Sequence, residues 1–254
     1  NLGIAQIYKA NKNRPYTVNI GAIGTVLKDA GYNTAVIGNS DTPDQYKRYL
    51  VSMLMDNEGI VSCGDVSQSL ITNDNTKPFG IKTDYTKMKD AVDNIWDKAD
   101  VIGIELGDTS RAEDFRNECT AKMLEYHRKK AIEEADRFIG YLLKKANTDT
   151  DLIMIISPVG PLKELSNRNR LSPIIAAGRG VQNGWLRSGS THRDGVVTNM
   201  DIGATILGFF NLPALPGQLG NKIHSIYNSK GLDGLWTFNQ KLVSLLSQRH
   251  FFIR

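Results

Sequence analysis

The sequence predicts an α/β fold, with a mostly parallel central sheet and helices on both faces. Three observations lead there: short apolar strands alternate with amphipathic helices, glycine closes a helix just ahead of a strand, and polar loops follow the strands. Taken in order, residues 21–30 read as a short helix closed by Gly31, a natural residue for the left-handed position after a helix. Residues 34–38 follow as a compact buried strand, with Asn39, Ser40 and Asp41 in the loop at its carboxyl end. Ligands of open α/β sheets bind beyond the carboxyl ends of strands, which makes Asp41 a candidate. Asp41 also suits a turn with Pro43 and Asp44, and for this residue alone the turn is the favoured reading.

Residues 50–55 and 59–63 read as a strand pair around a turn at 56–59, and residues 65–83 as a long irregular polar connection. Residues 84–99 form an amphipathic helix with Met88, Ala91, Val92, Ile95 and Trp96 on one side. It leads into a strand at 100–106, whose carboxyl-end loop carries Asp108, Thr109, Ser110 and Arg111. The longest helix spans about 113–146, its stripe running through Phe115, Cys119, Met123 and Tyr126 and on through Ala131, Ile132, Ala135, Phe138, Ile139 and Leu142. His127, among Arg128, Lys129 and Lys130, falls on the solvated side. Residues 151–156 make the strongest strand, ending at Ser157, and 171–177 another, after a polar loop at 163–170. Thr198 then opens a helix as N-cap, with Asp201 three positions on, and the helix buries Ile202, Thr205, Ile206 and Phe209 before ending near Asn211. A Gly- and Pro-bearing loop covers 212–233, and a final amphipathic helix covers roughly 234–249. No repeat, low-complexity tract or linker interrupts this series, so residues 1–254 read as a single domain.

Composition narrows the function classes. Hydrophobic residues at 41% and charged residues at 23% are ordinary for a globular chain, and 31 basic against 27 acidic residues leave a net charge of only +4. The basic residues are scattered, with Arg128, Lys129 and Lys130 followed by Glu133 and Glu134, so no nucleic-acid stripe is expected. No run of about 18 apolar residues exists, so no membrane span is expected within the chain. The chain starts at Asn1 without Met and reads as a piece of a longer protein. Its end, Leu245, Leu246 and then Phe251 to Arg254, fits a packed terminal helix or the approach to a flanking membrane segment. Cys63 and Cys119 lack zinc-finger spacing; Cys119 reads as a buried free thiol, while pairing in an oxidising compartment stays open.

The strand-end loops at 39–41, 108–111 and 157–161, with the loop carrying Thr191, His192 and Arg193, bring together carboxylates, hydroxyls, an imidazole and guanidinium groups. That set suits oxygen-rich metal binding or recognition of an anionic ester. Neither dinucleotide-binding glycines, nor a phosphate-binding loop, nor a nucleophile elbow is present. Asp108 and His192 are the candidate metal ligands, and His192 reads equally well as a loop histidine with ordinary hydrogen bonds. Arg193 and Thr198 are candidates for binding an anion at a helix N-terminus, or Arg193 pairs with Asp194 at the surface. Asp41 and Ser157 complete the strand-end candidates.

The order of these segments resembles the alkaline phosphatase superfamily, which includes sulfatases, phosphodiesterases (nucleotide pyrophosphatases) and cofactor-independent phosphoglycerate mutases. The segments that carry it are the helix at 21–24, Ala35-Val36-Ile37-Gly38-Asn39-Ser40-Asp41, the long helix, the strand ending at Ser157-Pro158, and residues 195–207. The resemblance implies an alkaline-phosphatase-like sheet and two metal ions, zinc or manganese, beside an esterified Ser or Thr. It implies a ligand pair Asp-x-x-x-His after the strand at 100–106, where this chain has Asp108 and then Ala112. It also implies Asp-His near Ser157, where the chain reads Ser157-Pro158-Val159-Gly160, and a last histidine, a place His192 fills. No Asp followed by Ser or Thr suits the nucleophile position before Gly21. The expectation is therefore a divergent, degenerate member that binds or organises in an extracytoplasmic, cell-envelope setting, with an anionic ester or an envelope component as partner. The alternative is a diverged metal-dependent phosphoesterase or sulfoesterase.

Overall fold

The computed structural model describes residues 3–15, 18–162, 164, 169–215, 217 and 219–252, with only the backbone for 246–252. The expectations that touch Asn1, residues 163 and 165–168, the Leu246 side chain and residues 253–254 lie outside the described residues. The fold is mixed α/β. Contacts divide the chain into two compact units, Asn1–Tyr141 and Leu142–Arg254.

The first unit is organised by β1 (Thr34–Asn39), which is buried along its whole length. It pairs in parallel with β2 (Cys63–Asp65) on one side and β5 (Val101–Leu106) on the other, in the order β2-β1-β5. A central strand covered on both faces must be apolar throughout, which is why Ala35, Val36 and Ile37 lack the alternation of a half-exposed strand. Helices α1 (Ile4–Asn11) and α2 (Ala22–Asp29) come first, and Leu27 of α2 is fully buried. Helix α4 (Tyr85–Ile95) buries Met88, Val92 and Ile95 as its periodicity predicts, and Asp84 caps it by accepting from the N–H groups of Thr86 and Lys87.

The strand expected at 50–55 is instead helix α3 (Tyr49–Leu54). Short apolar runs carry too few periods to separate helix from strand. Leu50 and Leu54, one helical turn apart, sit so closely over Gly103 of β5 that a Cβ there would lie 2.9 and 2.8 Å from their methyl carbons. The connection at 65–83 is also more ordered than its composition suggests. Strands β3 (Ile71–Asn73) and β4 (Ile81–Thr83) pair antiparallel around a short turn of 3-10 helix at Pro78–Gly80.

The helix expected over 113–146 is two helices, α5 (Asp108–Asp114) and α6 (Ala121–Lys145), with a short 3-10 turn at Phe115–Asn117 between them. Thr120 accounts for the restart: its hydroxyl accepts the Met123 N–H and its carbonyl the Leu124 N–H. Cys119 therefore lies in the connection and is half-buried; it and Cys63 are both free thiols. The buried face of α6 runs through His127, Ala131, Ala135 and Phe138, whereas Met123, Tyr126 and Ile132 of the expected stripe are exposed. His127 is thus buried and not solvated. Small alanines let the helix approach its neighbours along the His127 face, and the Phe115 ring lies edge-on to the imidazole at 6.2 Å.

In the second unit β6 (Leu152–Ile156) and β7 (Ile174–Gly178) pair antiparallel, as do β8 (Trp185–Arg187) and β9 (His224–Ile226). The expectation of a mostly parallel central sheet is corrected to a three-stranded parallel sheet plus antiparallel pairs among the described residues. An apolar run specifies a strand but not its direction, which the path of the connecting chain decides. Helix α7 (Asn199–Phe209) starts at Thr198 as expected. It ends where Asn211 turns left-handed and the Leu212 N–H returns to the Leu207 carbonyl. Helix α8 (Gly231–Phe252) closes the chain. No helix among the described residues is long and apolar enough to cross a membrane.

Candidate functional site

The carboxyl edge of the parallel sheet in the first unit carries the densest buried polar chemistry. Asn39, Ser40, Asp41 and Thr42 leave β1 buried, and α5 starts directly after β5 with Asp108 in its first turn. Arg111, one turn along α5, is only 1% exposed. Its Nη1 donates to the carbonyls of Asn39 (3.3 Å) and Asp41 (3.1 Å), and its Nη2 to Thr83 Oγ1 (2.6 Å) and Asp108 Oδ1 (3.0 Å). Nε reaches the same Asp108 oxygen at 3.2 Å, and the Thr83 N–H adds a third donor to it. One guanidinium thereby joins the end of β1, the end of β4 and the start of α5. A planar fork of five donors is suited to that task, and a lysine is not. Gly107 permits the approach: a Cβ there would stand 2.1 Å from the Asn39 carbonyl oxygen and 2.9 Å from Arg111 Nη1.

The other carboxylates on this edge are also engaged. Asp41 accepts from the Lys47 N–H (2.7 Å) and from the Arg48 guanidinium (2.9 and 3.3 Å). Glu105 accepts from the Ser40 hydroxyl (2.6 Å) and the Leu50 N–H (3.3 Å). Burial pushes the Glu105 carboxyl above its ordinary pKa despite those two donors. Burial, reinforced by the Lys77 charge, pushes the His127 imidazole below its usual value. Asp108, Arg111, Lys77, His127 and Glu134 line a cavity of about 10 Å3, room for no more than a water molecule. Asp108 Oδ2 and the Tyr85 hydroxyl are buried without a hydrogen-bond partner among the described residues. Burial, with the Asp108 and Glu134 charges, raises the Tyr85 phenol far above its ordinary value.

The remaining candidates lie in the second unit. His192 is exposed and takes the left-handed conformation (φ 52°) in a turn that the Thr191 hydroxyl ties to the Val196 carbonyl at 2.6 Å. Arg193 is exposed; Asp194 pairs with Arg187 (3.4 Å) and not with Arg193. Ser157 turns its hydroxyl to the Val159 carbonyl within its own loop. Thr198 and Asp201 form an asymmetric capping box. The Thr198 N–H donates to Asp201 Oδ2 at 2.7 Å. The return leg to the Thr198 hydroxyl is too loose to count as a full bond, and the Asp201 N–H reaches the Thr198 carbonyl instead. The start of α7 thus already holds a carboxylate. Burial alone would raise Asp201, yet donors from Ser190, Thr198, Asn221 and Ser188 together hold it down at about 2.

A metal centre needs about three converging ligands. No group of three His, Cys, Asp or Glu side chains able to hold an ion exists among the described residues. Asp108 faces a guanidinium, and four residues on, where the sequence resemblance implied a histidine ligand, Ala112 is buried. The donors present do not fit zinc or manganese. At this edge, with Asp41 in its lining, opens a cleft of about 730 Å3, its walls including Thr42, Gln68, Asn73, Asn75 and Phe79. Arg48 and Glu105 were missed by sequence reasoning, and Arg111, named in the strand-end loop, was not recognised as the partner of Asp108. For Arg111 a signal existed, since it stands three residues after Asp108, but that pairing has meaning only on a helix, and a loop was expected there.

No family model, no curated protein and no solved structure matches the chain.

Proposed function

We propose that the chain is a degenerate alkaline-phosphatase-like domain that binds or organises an envelope component outside the cytoplasm and does not hydrolyse esters. The observation that supports this most is the pairing of Asp108 with Arg111. The carboxylate at the expected metal-ligand position takes its positive partner from the chain itself, so a cation entering there would meet a guanidinium. Of the neighbouring carboxylates, Asp41 is paired in the same way with Arg48, whereas Glu105 accepts from the neutral Ser40 hydroxyl. What remains open at the strand ends is the cleft beside Asp41, with a volume in the usual range for ligand sites of about 300–1,000 Å3.

The test is metal analysis of the purified chain together with assays on generic phosphate and sulfate esters, with and without added zinc and manganese. The reading expects substoichiometric metal and no turnover. Stoichiometric zinc or manganese, with turnover abolished by His192→Ala, would establish the diverged phosphoesterase or sulfoesterase instead.

A further inference from the structure

We infer that the cleft at the carboxyl end of β1 is a binding site for a neutral, polyhydroxylated ligand, a saccharide chain. The inference extends the binding reading above by naming the class of ligand. It rests on what lines the cleft and what does not. Gln68, Asn73 and Asn75, all exposed, contribute three side-chain amides to the lining, and none of them is drawn into a hydrogen bond with another described residue. Each amide carries both donors and an acceptor, the combination that answers a hydroxyl group, which donates and accepts at once. Thr42 adds a hydroxyl, and Phe79 an aromatic ring, among Ile71 and Ile81. An apolar wall with a few convergent polar groups is the general form of a small-ligand site, and here it offers the C–H faces of a sugar ring a surface to lie against.

Charge excludes the main competitor. Among the described residues no Lys or Arg lines the cleft, although the same segments carry several. Arg48 is held by Asp41, Lys77 by Glu134 and Lys82 by Asp74. A phosphate or sulfate group would find no free cation on this lining, so the anionic ester expected from the sequence does not suit this cleft.

Phe79 supplies an independent observation. It adopts the left-handed conformation (φ 58°, ψ 13°), which is rare for a bulky aromatic residue and strained at a level of about 1–3 kcal/mol. The ring is braced edge-on against Phe115 with centroids 5.1 Å apart. Pro78 is buried and Gly80 is also left-handed (φ 69°), so the turn is set from both sides and the aromatic group stands at a defined place on the cleft wall.

Calorimetry and side-chain amide NMR on the full chain test this, using neutral hexasaccharides of glucose, mannose and N-acetylglucosamine. A sulfated hexasaccharide and an uncharged Gly/Ser hexapeptide serve as the other arms. At least one neutral saccharide is expected to bind and to shift the Asn73 and Asn75 side-chain amide signals. The exposed pair Asn73→Ala/Asn75→Ala is expected to weaken that binding at least about tenfold, as the loss of two or more hydrogen bonds requires, at an unchanged melting temperature. Gln68→Ala is a second variant in an exposed position, expected to weaken binding in the same direction. Binding of none of the neutral saccharides overturns the proposal. So does preference for the sulfated one or for the peptide, or saccharide binding that the amide variants leave intact. Metal-dependent ester turnover would defeat the non-catalytic reading of the preceding section without touching this result, so the two fail separately.

Discussion

Arg111 and Asp108 stand one helical turn apart on α5, and the buried guanidinium meets a single carboxylate oxygen through Nε at 3.2 Å and Nη2 at 3.0 Å. The remaining donors of Arg111 hold two backbone carbonyls at the end of β1 and a hydroxyl on β4. Removing either charge leaves the other buried without its partner. Arg111→Ala is expected to destabilise the chain by about 3–5 kcal/mol, the range for breaking a buried ion pair. Arg111→Lys should recover only part of that, because one ammonium cannot span the three elements. The double variant Arg111→Met/Asp108→Leu should be less harmful than the sum of its singles, and urea denaturation of the set checks this.

Asp201 makes stability fall in acid. Its carboxyl is held at about 2 against an ordinary 3.8, so the folded state binds its proton later than the unfolded state does. The contribution, about 2 kcal/mol for a shift of this size, is fully present above pH 4 and is lost as pH falls from there towards 2. Asp201→Asn should be less stable than the parent at pH 6, with the gap closing by pH 2. Denaturation midpoints across that window decide it.

Glu105 behaves in the opposite sense. Burial raises its pKa, so its charged form opposes folding, and its contribution to stability declines as pH rises through the raised value. Glu105→Gln removes the charge and keeps an acceptor for the Ser40 hydroxyl, but takes one from the Leu50 N–H, a loss that does not vary with pH. Relative to the parent it is expected to gain stability as pH rises from 4 to 7; a relative loss over that window would contradict the sign.

The same substitution should act oppositely at two glycines. At Gly107 an added methyl would meet the Asn39 carbonyl oxygen at 2.1 Å, so Gly107→Ala should cost at least about 2 kcal/mol. At Gly140, inside α6, no atom of the described residues beyond the helix's own backbone and the chain neighbours lies within 4 Å of the added Cβ, so Gly140→Ala should gain about 1 kcal/mol from helix propensity alone. Thermal melts of both variants make the comparison.

Much of the local structure follows from the amino-acid sequence alone. The short run at 34–38, set off by Gly31 before it and a polar loop after it, is the covered strand expected, and Met88, Val92 and Ile95 at helical spacing marked the buried face of α4. Thr198 with Asp201, and Asn211 before Pro213, bounded α7 through end signals carried within a few residues. The tertiary structure decided what these signals cannot carry. Strand direction depends on the path of the connection, so β6 and β7 turned out antiparallel. Leu50 and Leu54 became helical because Gly103 leaves a space that a helical turn fills. The face of α6 was chosen by neighbours far along the chain, which buried His127 and exposed Tyr126. At the site, Asp41 and Asp108 were legible as strand-end carboxylates, and Asp41 as a turn residue. Their occupation by Arg48 and Arg111 was not, because a charge finds its partner by proximity in space, and in low dielectric that partner determines what the carboxylate is free to bind.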